Sequence, residues 1–193
     1  MKNQIPNLLT MSRIFVIPAL IASFYINGPV GNWIGFALFA FAGVTDFFDG
    51  YLARSMNVVS PLGRFLDPIA DKLLVAAALM MMVAFERISG LAVLPAVIIM
   101  CREIMVSGLR EHLAGRVSIP VTKLAKWKTT VQMAAIGVLM GGFWAGAGGW
   151  PAAAGPVGAA GIALLWLAGV LTLLTGWDYF RRGLASHAMT GER

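Results

Sequence analysis

Six stretches of roughly twenty mostly apolar residues fill nearly the whole chain, and a helix of that length crosses the hydrocarbon core of a bilayer. They run at about Asn7–Ile26, Trp33–Arg54, Pro61–Phe85, Leu91–Arg110, Lys126–Phe143 and Val157–Phe180. Charged residues make up only 12% of the 193 positions and apolar ones 59%. A soluble domain carries ~25% charged residues, so water is a poor solvent for this chain and lipid a good one. The expected fold is all-α: a polytopic membrane protein of six transmembrane helices, one integral-membrane domain over 1–193, with no room for a soluble domain.

The breaks between spans carry suitable residues: Asn27-Gly28-Pro29, Ser89-Gly90, Gly115 to Pro120, and Gly148-Gly149-Trp150-Pro151. Pro18 falls inside the first span, where a kink is expected and tolerated. With both termini and the second and fourth connections on one side, that side takes fourteen of the fifteen Lys and Arg residues, leaving only Arg87 opposite. The excess of positive charge marks the cytoplasmic face, so both termini are expected there, in the cell membrane. The net charge of +6 lies beside membrane segments and not on one soluble face, which argues against nucleic acid as a partner. Met1 to Gln4 is brief and leads into a span without an A-x-A site, so no cleavable leader is expected. The single Cys101 excludes an intrachain disulfide framework.

Only nine acidic residues exist, and Asp46, Asp49, Asp67 and Asp71 crowd into one stretch. Ionised carboxylates in membrane segments are costly and mark function. At 1.5 Å per residue, Tyr51 lies ~28 Å from Trp33, which puts Asp46 and Asp49 in the last turns of the second span. Asp67 and Asp71 fall in the first turns of the third. The two spans are antiparallel, so both pairs reach one level near the cytoplasmic interface. Asp46 and Asp49 are spaced i, i+3, with Gly50 and Ala53 on the same stripe; Gly63, Asp67 and Asp71 are spaced i, i+4, i+8. Four like charges so close repel or protonate, unless hard divalent cations such as Mg²⁺ or Mn²⁺ sit among their oxygens. Pairing with Arg54, Arg64 and Lys72 in a solvated loop is the competing reading.

The 26 residues from Asp46 to Asp71 read D-x-x-D-G-x-x-A-R-x8-G-x3-D-x3-D. This pattern resembles, without departure, the signature of the CDP-alcohol phosphotransferases, and the six-helix plan is similar to theirs across the rest of the chain. The resemblance implies that Asp46, Asp49, Asp67 and Asp71 hold two divalent ions and that Asp71 is also the general base. It implies that Gly50 and Ala53 let cytidine approach the helix, that Arg54 contacts the CDP phosphates, and that Ser60 contacts the pyrophosphate. Pro6-Asn7-Leu8-Leu9-Thr10 is similar to the family's P-N-x-x-T start, whose polar residues Asn7 and Thr10 border the nucleotide; a helix cap at the membrane surface explains them equally well. Two metals ~4 Å apart can clamp a diphosphate and stabilise attacking and leaving oxygens in line, and positioning with charge neutralisation carries most of phosphoryl transfer. The resemblance also implies a homodimer.

The acceptor alcohol is read from a second cluster. Arg102-Glu103 lies at membrane depth, either as a buried ion pair or facing a cavity; Arg110-Glu111 follows, and Lys123, Lys126 and Lys128 open the fifth span. Arg recognises phosphate through a fixed fork of donors, so Arg110, Lys126 and Arg102 are the candidate acceptor-phosphate ligands. The run Arg102-Glu103-x3-Ser107-x-Leu109-Arg110-Glu111, with Lys126-x-Lys128-Thr129-x-x-Gln132-Met133, resembles the phosphatidylglycerophosphate synthase branch. That branch joins CDP-diacylglycerol to sn-glycerol 3-phosphate. Inositol phosphate and serine are alternative acceptors for the same chemistry. A cation transporter is a rival of another class, but its sites sit near the midplane within inverted repeats, and no repeat is seen. A scaffold suits the Gly/Ala-rich helices and leaves four aligned aspartates without a reason. Asp178 and His187 are read as interfacial.

Overall fold

The computed structural model describes residues 5–56, 61–112, 123–141 and 155–190, and the side chains of 11–46, 69–109, 124–141 and 155–181. Six helices account for almost all of this: α1 (Ile5–Ser23), α2 (Pro29–Met56), α3 (Pro61–Ala84), α4 (Val93–His112), α5 (Lys123–Gly141) and α6 (Pro156–Thr190). A 3-10 turn at Gly90–Ala92 leads into α4. Among the described residues there is no strand. Every expected helix is present, and the differences lie at the ends. Proline opens α2, α3 and α6, because its fixed φ suits the first helical position and its missing N–H is not needed there. Pro29, read as part of a break, is therefore the first residue of α2. Helix α6 continues past Phe180 to Thr190; a lipid boundary limits the apolar stretch, not the hydrogen-bonded helix.

The helices pack as a closed ring in the order α1, α2, α5, α6, α4, α3 and back to α1. Its core is apolar, with Leu20, Leu74, Leu79, Met82, Ile99, Ile136, Leu139 and Leu165 essentially sealed from solvent. The outside is apolar too: Phe15, Met80, Ile104, Trp127 and Trp177 are each exposed. A helix that is hydrophobic all round needs an apolar medium. Among the described residues, Gly90–Leu109 and Pro156–Arg181 are long and apolar enough to cross a membrane, and Met11–Ser23 is a shorter apolar helix. Several polar side chains point the other way: Arg13, Lys128, Gln132, Thr172 and Thr175 are buried inside the ring.

One end of the ring is closed by the α1–α2 and α3–α4 connections. The Phe85 ring lies 5.6 Å from Phe24 and 5.2 Å from Tyr25, the latter edge-on. The Arg87 guanidinium sits 4.4 Å over the Phe24 ring and donates to Asn32 Oδ1 of α2. Burial lowers Arg87 to about 10, so it stays charged at neutral pH. The turn into α2 is tight: a Cβ on Gly31 would stand 2.2 Å from the Ile26 carbonyl oxygen, and only glycine fits.

Candidate active site

The polar groups gather in the half of the ring away from that end, and all six helices contribute. Asp46 of α2 is half exposed and forms an ion pair with Arg13 of α1, whose side chain is buried. The Thr45 hydroxyl is bound back to its own helix, at 2.9 Å from the Phe41 and Ala42 carbonyls. Asp71 of α3 is half buried. The charges that act on it are those of Asp46, Glu103, Lys72 and Arg13, side chains of α2, α4, α3 and α1.

Lys128 of α5 and the Arg102-Glu103 pair of α4 extend the same centre. Lys128 is buried and donates to Glu103 Oε1; Arg102 Nη1 stands 3.7 Å from Glu103 Oε2. Lys128 also lies within charge reach of Arg102 and Asp71. Arg102 Nη2 donates to Thr175 Oγ1 of α6 at 3.4 Å, while the Thr175 hydroxyl is bound back to Leu171 O at 2.8 Å. The Arg102 stem lies flat on α6 because Gly176 is beneath it: a Cβ there would be 3.1 Å from Arg102 Cγ. Gln132 Oε1 and Thr172 Oγ1 are buried and have no hydrogen-bond partner among the described residues. They stand one turn from Lys128 and Thr175 respectively, so the wall between α4, α5 and α6 retains unused polar capacity. Buried polar groups are normally satisfied, so these two atoms mark the wall as polar.

Taken together, Arg13, Lys72, Arg102 and Lys128 lie among Asp46, Asp71 and Glu103, four cations to three anions, with Asp46 at the exposed edge of the group. The donors on the aspartate side are all oxygen, which suits a hard divalent ion. Asp46 and Asp71 are near enough to repel each other, a conflict that such an ion removes. Among the described side chains no three potential ligands come together; Asp46 and Asp71 are the pair that the description covers.

The remaining sequence candidates divide as follows. Asp49, Gly50, Ala53, Arg54, Asp67, Arg110, Asn7 and Thr10 lie in helices, but their side chains are outside the described residues, and Ser60 lies outside them altogether. Arg102 joins the charged centre. Lys126 is exposed: two residues are ~200° of helix rotation, so with Lys128 turned inward Lys126 points outward. The two readings of Arg102-Glu103 merge, since the pair is in contact and still faces the interior. Arg13 was missed by the sequence reading, although an arginine amid the apolar run of α1 calls for a buried partner. Glu103 as the link between two cations was also missed; spacing alone does not tell which face of α5 meets α4.

A family model described as CDP-alcohol phosphatidyltransferase matches residues 3–174. A CDP-diacylglycerol–glycerol-3-phosphate 3-phosphatidyltransferase of Rickettsia bellii is 44% identical over 179 residues, covering 92% of this chain and 94% of the relative. Proteins of the same name from Cereibacter sphaeroides and Salmonella choleraesuis are 40% and 41% identical. The first covers 94% of this chain and 96% of its own length, the second 93% and 94%. Matched over residues 3–174 and carrying the aspartate pattern unbroken from Asp46 to Asp71, the chain belongs to the CDP-alcohol phosphatidyltransferase family.

Proposed function

We propose that this chain is a membrane transferase that moves the phosphatidyl group of CDP-diacylglycerol to sn-glycerol 3-phosphate, giving phosphatidylglycerophosphate and CMP. The observation that carries this reading is that Lys128, joined to Arg102 through Glu103, lies within charge reach of Asp71, as Asp46 also does. A carboxylate site for a diphosphate and a cationic site for an anionic acceptor must adjoin for one oxygen to attack one phosphorus. The names of the near full-length relatives support the same reaction.

In this reading Asp46, Asp49, Asp67 and Asp71 hold two divalent ions, Mg²⁺ or Mn²⁺, which when bound neutralise the diphosphate and stabilise charge on its leaving oxygen. Gly50 and Ala53 leave room for cytidine against α2; Arg54 and Ser60 hold the phosphates, and Asn7 and Thr10 border the nucleotide. Arg102, with Arg110, receives the acceptor phosphate. The inward placement of Lys128 favours it over Lys126 as their lysine partner. Asp71 takes the proton of the acceptor's primary hydroxyl. The new O–P bond forms at the lipid-bearing phosphorus as its bond to the CMP oxygen breaks, and CMP leaves. The ring's apolar exterior keeps the acyl tails in lipid while the headgroup meets these side chains.

Six spans in a single domain over 1–193, both termini and the site on the cytoplasmic side, and a homodimer complete the proposal. Support for the sidedness comes from the Lys and Arg distribution. The test is CMP release by purified protein given CDP-diacylglycerol, Mg²⁺ and each of glycerol phosphate, inositol phosphate and serine. Turnover with glycerol phosphate above the others is expected; preference for either of the others refutes the acceptor assignment.

A further inference from the structure

Lys128 poses a question that the reaction alone does not answer. Its ammonium is buried and lies within charge reach of Asp71, the carboxylate assigned to take the acceptor's proton. A lysine has a flexible four-carbon stem and a compact charge. Left to itself, it is drawn to a neighbouring carboxylate in a low-dielectric site. An ion pair between Lys128 and Asp71 would occupy the lone pair on which proton transfer depends.

Glu103 stands where it prevents this. One of its oxygens accepts the Lys128 hydrogen bond and the other lies 3.7 Å from Arg102 Nη1. Arg102 is held from its far side by Thr175 at 3.4 Å and rests on Gly176. The chain of contacts therefore runs from α6 through Arg102 and Glu103 to the tip of Lys128. Charge alone gives no reason for Glu103: an acid here weakens attraction for an anionic acceptor and adds repulsion at Asp71. Its two direct contacts give one. We propose that Glu103 is a positioning residue, which tethers Lys128 toward α4 so that Lys128 can meet the acceptor phosphate without closing on Asp71. This rests on the proposed transfer reaction.

The experiment compares steady-state kinetics of purified wild type, Glu103→Gln, Glu103→Asp, Lys128→Met and the double variant Glu103→Gln/Lys128→Met. Each receives CDP-diacylglycerol, Mg²⁺ and glycerol 3-phosphate, with thermal inactivation measured alongside. Glutamine keeps the shape and loses the charge, so kcat is expected to fall by about tenfold or more, part of the ~10²–10⁴ that a positioned base contributes. KM for CDP-diacylglycerol is expected to stay near wild type. Aspartate keeps the charge and should recover much of kcat. In the Lys128→Met background the Gln change should cost no further kcat, because there is no ammonium left to misplace.

Unchanged kcat in Glu103→Gln overturns the proposal, and so does a loss of equal size in both backgrounds, which would mean that Glu103 acts independently of Lys128. If Glu103→Gln is too unstable to purify, Lys128→Met against the double variant decides: equal kcat supports the tether and a further fall overturns it. A wild type that releases no CMP with any acceptor refutes the transfer reaction itself, a result distinct from all of these.

Discussion

Replacing Gly169 with alanine puts a methyl carbon 2.8 Å from Pro95 Cβ and 3.3 Å from Pro95 Cα. Nonbonded carbons rest ~3.5–4.0 Å apart, so roughly 0.7–1.2 Å of separation must be recovered. Pro95 cannot rotate away, because its Cβ belongs to a ring fixed to the backbone, and α4 has to move off α6. Overpacking of this kind costs ~1–3 kcal/mol, offset by ~1 kcal/mol from the better helix propensity of alanine. Gly108→Ala is the control: it is in α4, gains the same propensity, and has nothing within 4 Å of the added carbon. The difference between the two variants therefore isolates the overlap, and Gly169→Ala is expected to be less stable than Gly108→Ala by ~1–3 kcal/mol. There is a functional counterpart. The Arg102–Thr175 hydrogen bond across the same interface is already long at 3.4 Å, so moving α4 breaks it and KM for glycerol phosphate rises. Denaturant unfolding in mixed micelles and acceptor titrations measure the two effects. Equal stability of the variants would refute the close α4–α6 contact and the register built on it.

Arg13→Met leaves Asp46 without its buried partner; a lost hydrogen bond to a charged group costs ~1.5–3 kcal/mol, discounted here because Asp46 is half exposed, so a small drop in stability with a clear loss of turnover is expected in melting and CMP-release assays. Arg87→Gln removes the guanidinium over Phe24 and should cost ~1–2 kcal/mol with kcat unchanged, since that end is remote from the charged centre. Because burial lowers Arg87 to about 10, below the ordinary arginine range, the unfolded chain binds more protons above that pH; this group's contribution to stability therefore rises as pH climbs from 10 and is flat below. The stability difference between wild type and Arg87→Gln should accordingly not change from pH 6 to 9, as thermal scans across that range will read. Chelation of divalent ions should abolish CMP release and added Mg²⁺ restore it, whereas activity that survives chelation would remove the ions from the reaction.

The helices were legible in the sequence because lipid leaves a long apolar run few alternatives. The partners of the charges were not. Asp46 and Asp71 share a level by simple counting from span ends, and the structure brings them within reach of each other. That Arg13 is the residue paired with Asp46 depends on which face of α1 meets α2, which hydropathy does not encode when all faces are apolar. The same ambiguity separates Lys126 from Lys128: both are lysines near the start of α5, and only the packing of α5 on α6 and α2 turns the second inward. Glu103 sits beside Arg102 in the chain, yet its hydrogen-bond partner comes from 25 residues further on, a contact that exists only once the ring has closed.

The number of Mn²⁺ ions held by the purified protein, counted by electron paramagnetic resonance with CDP-diacylglycerol present, tests the convergence of the aspartates most directly. Two ions per chain with a spin-coupled signal are expected for wild type, with the coupled signal lost in Asp71→Asn and in Asp46→Asn. A wild type that binds no Mn²⁺, or an Asp71→Asn protein with an unaltered coupled signal, would contradict the account.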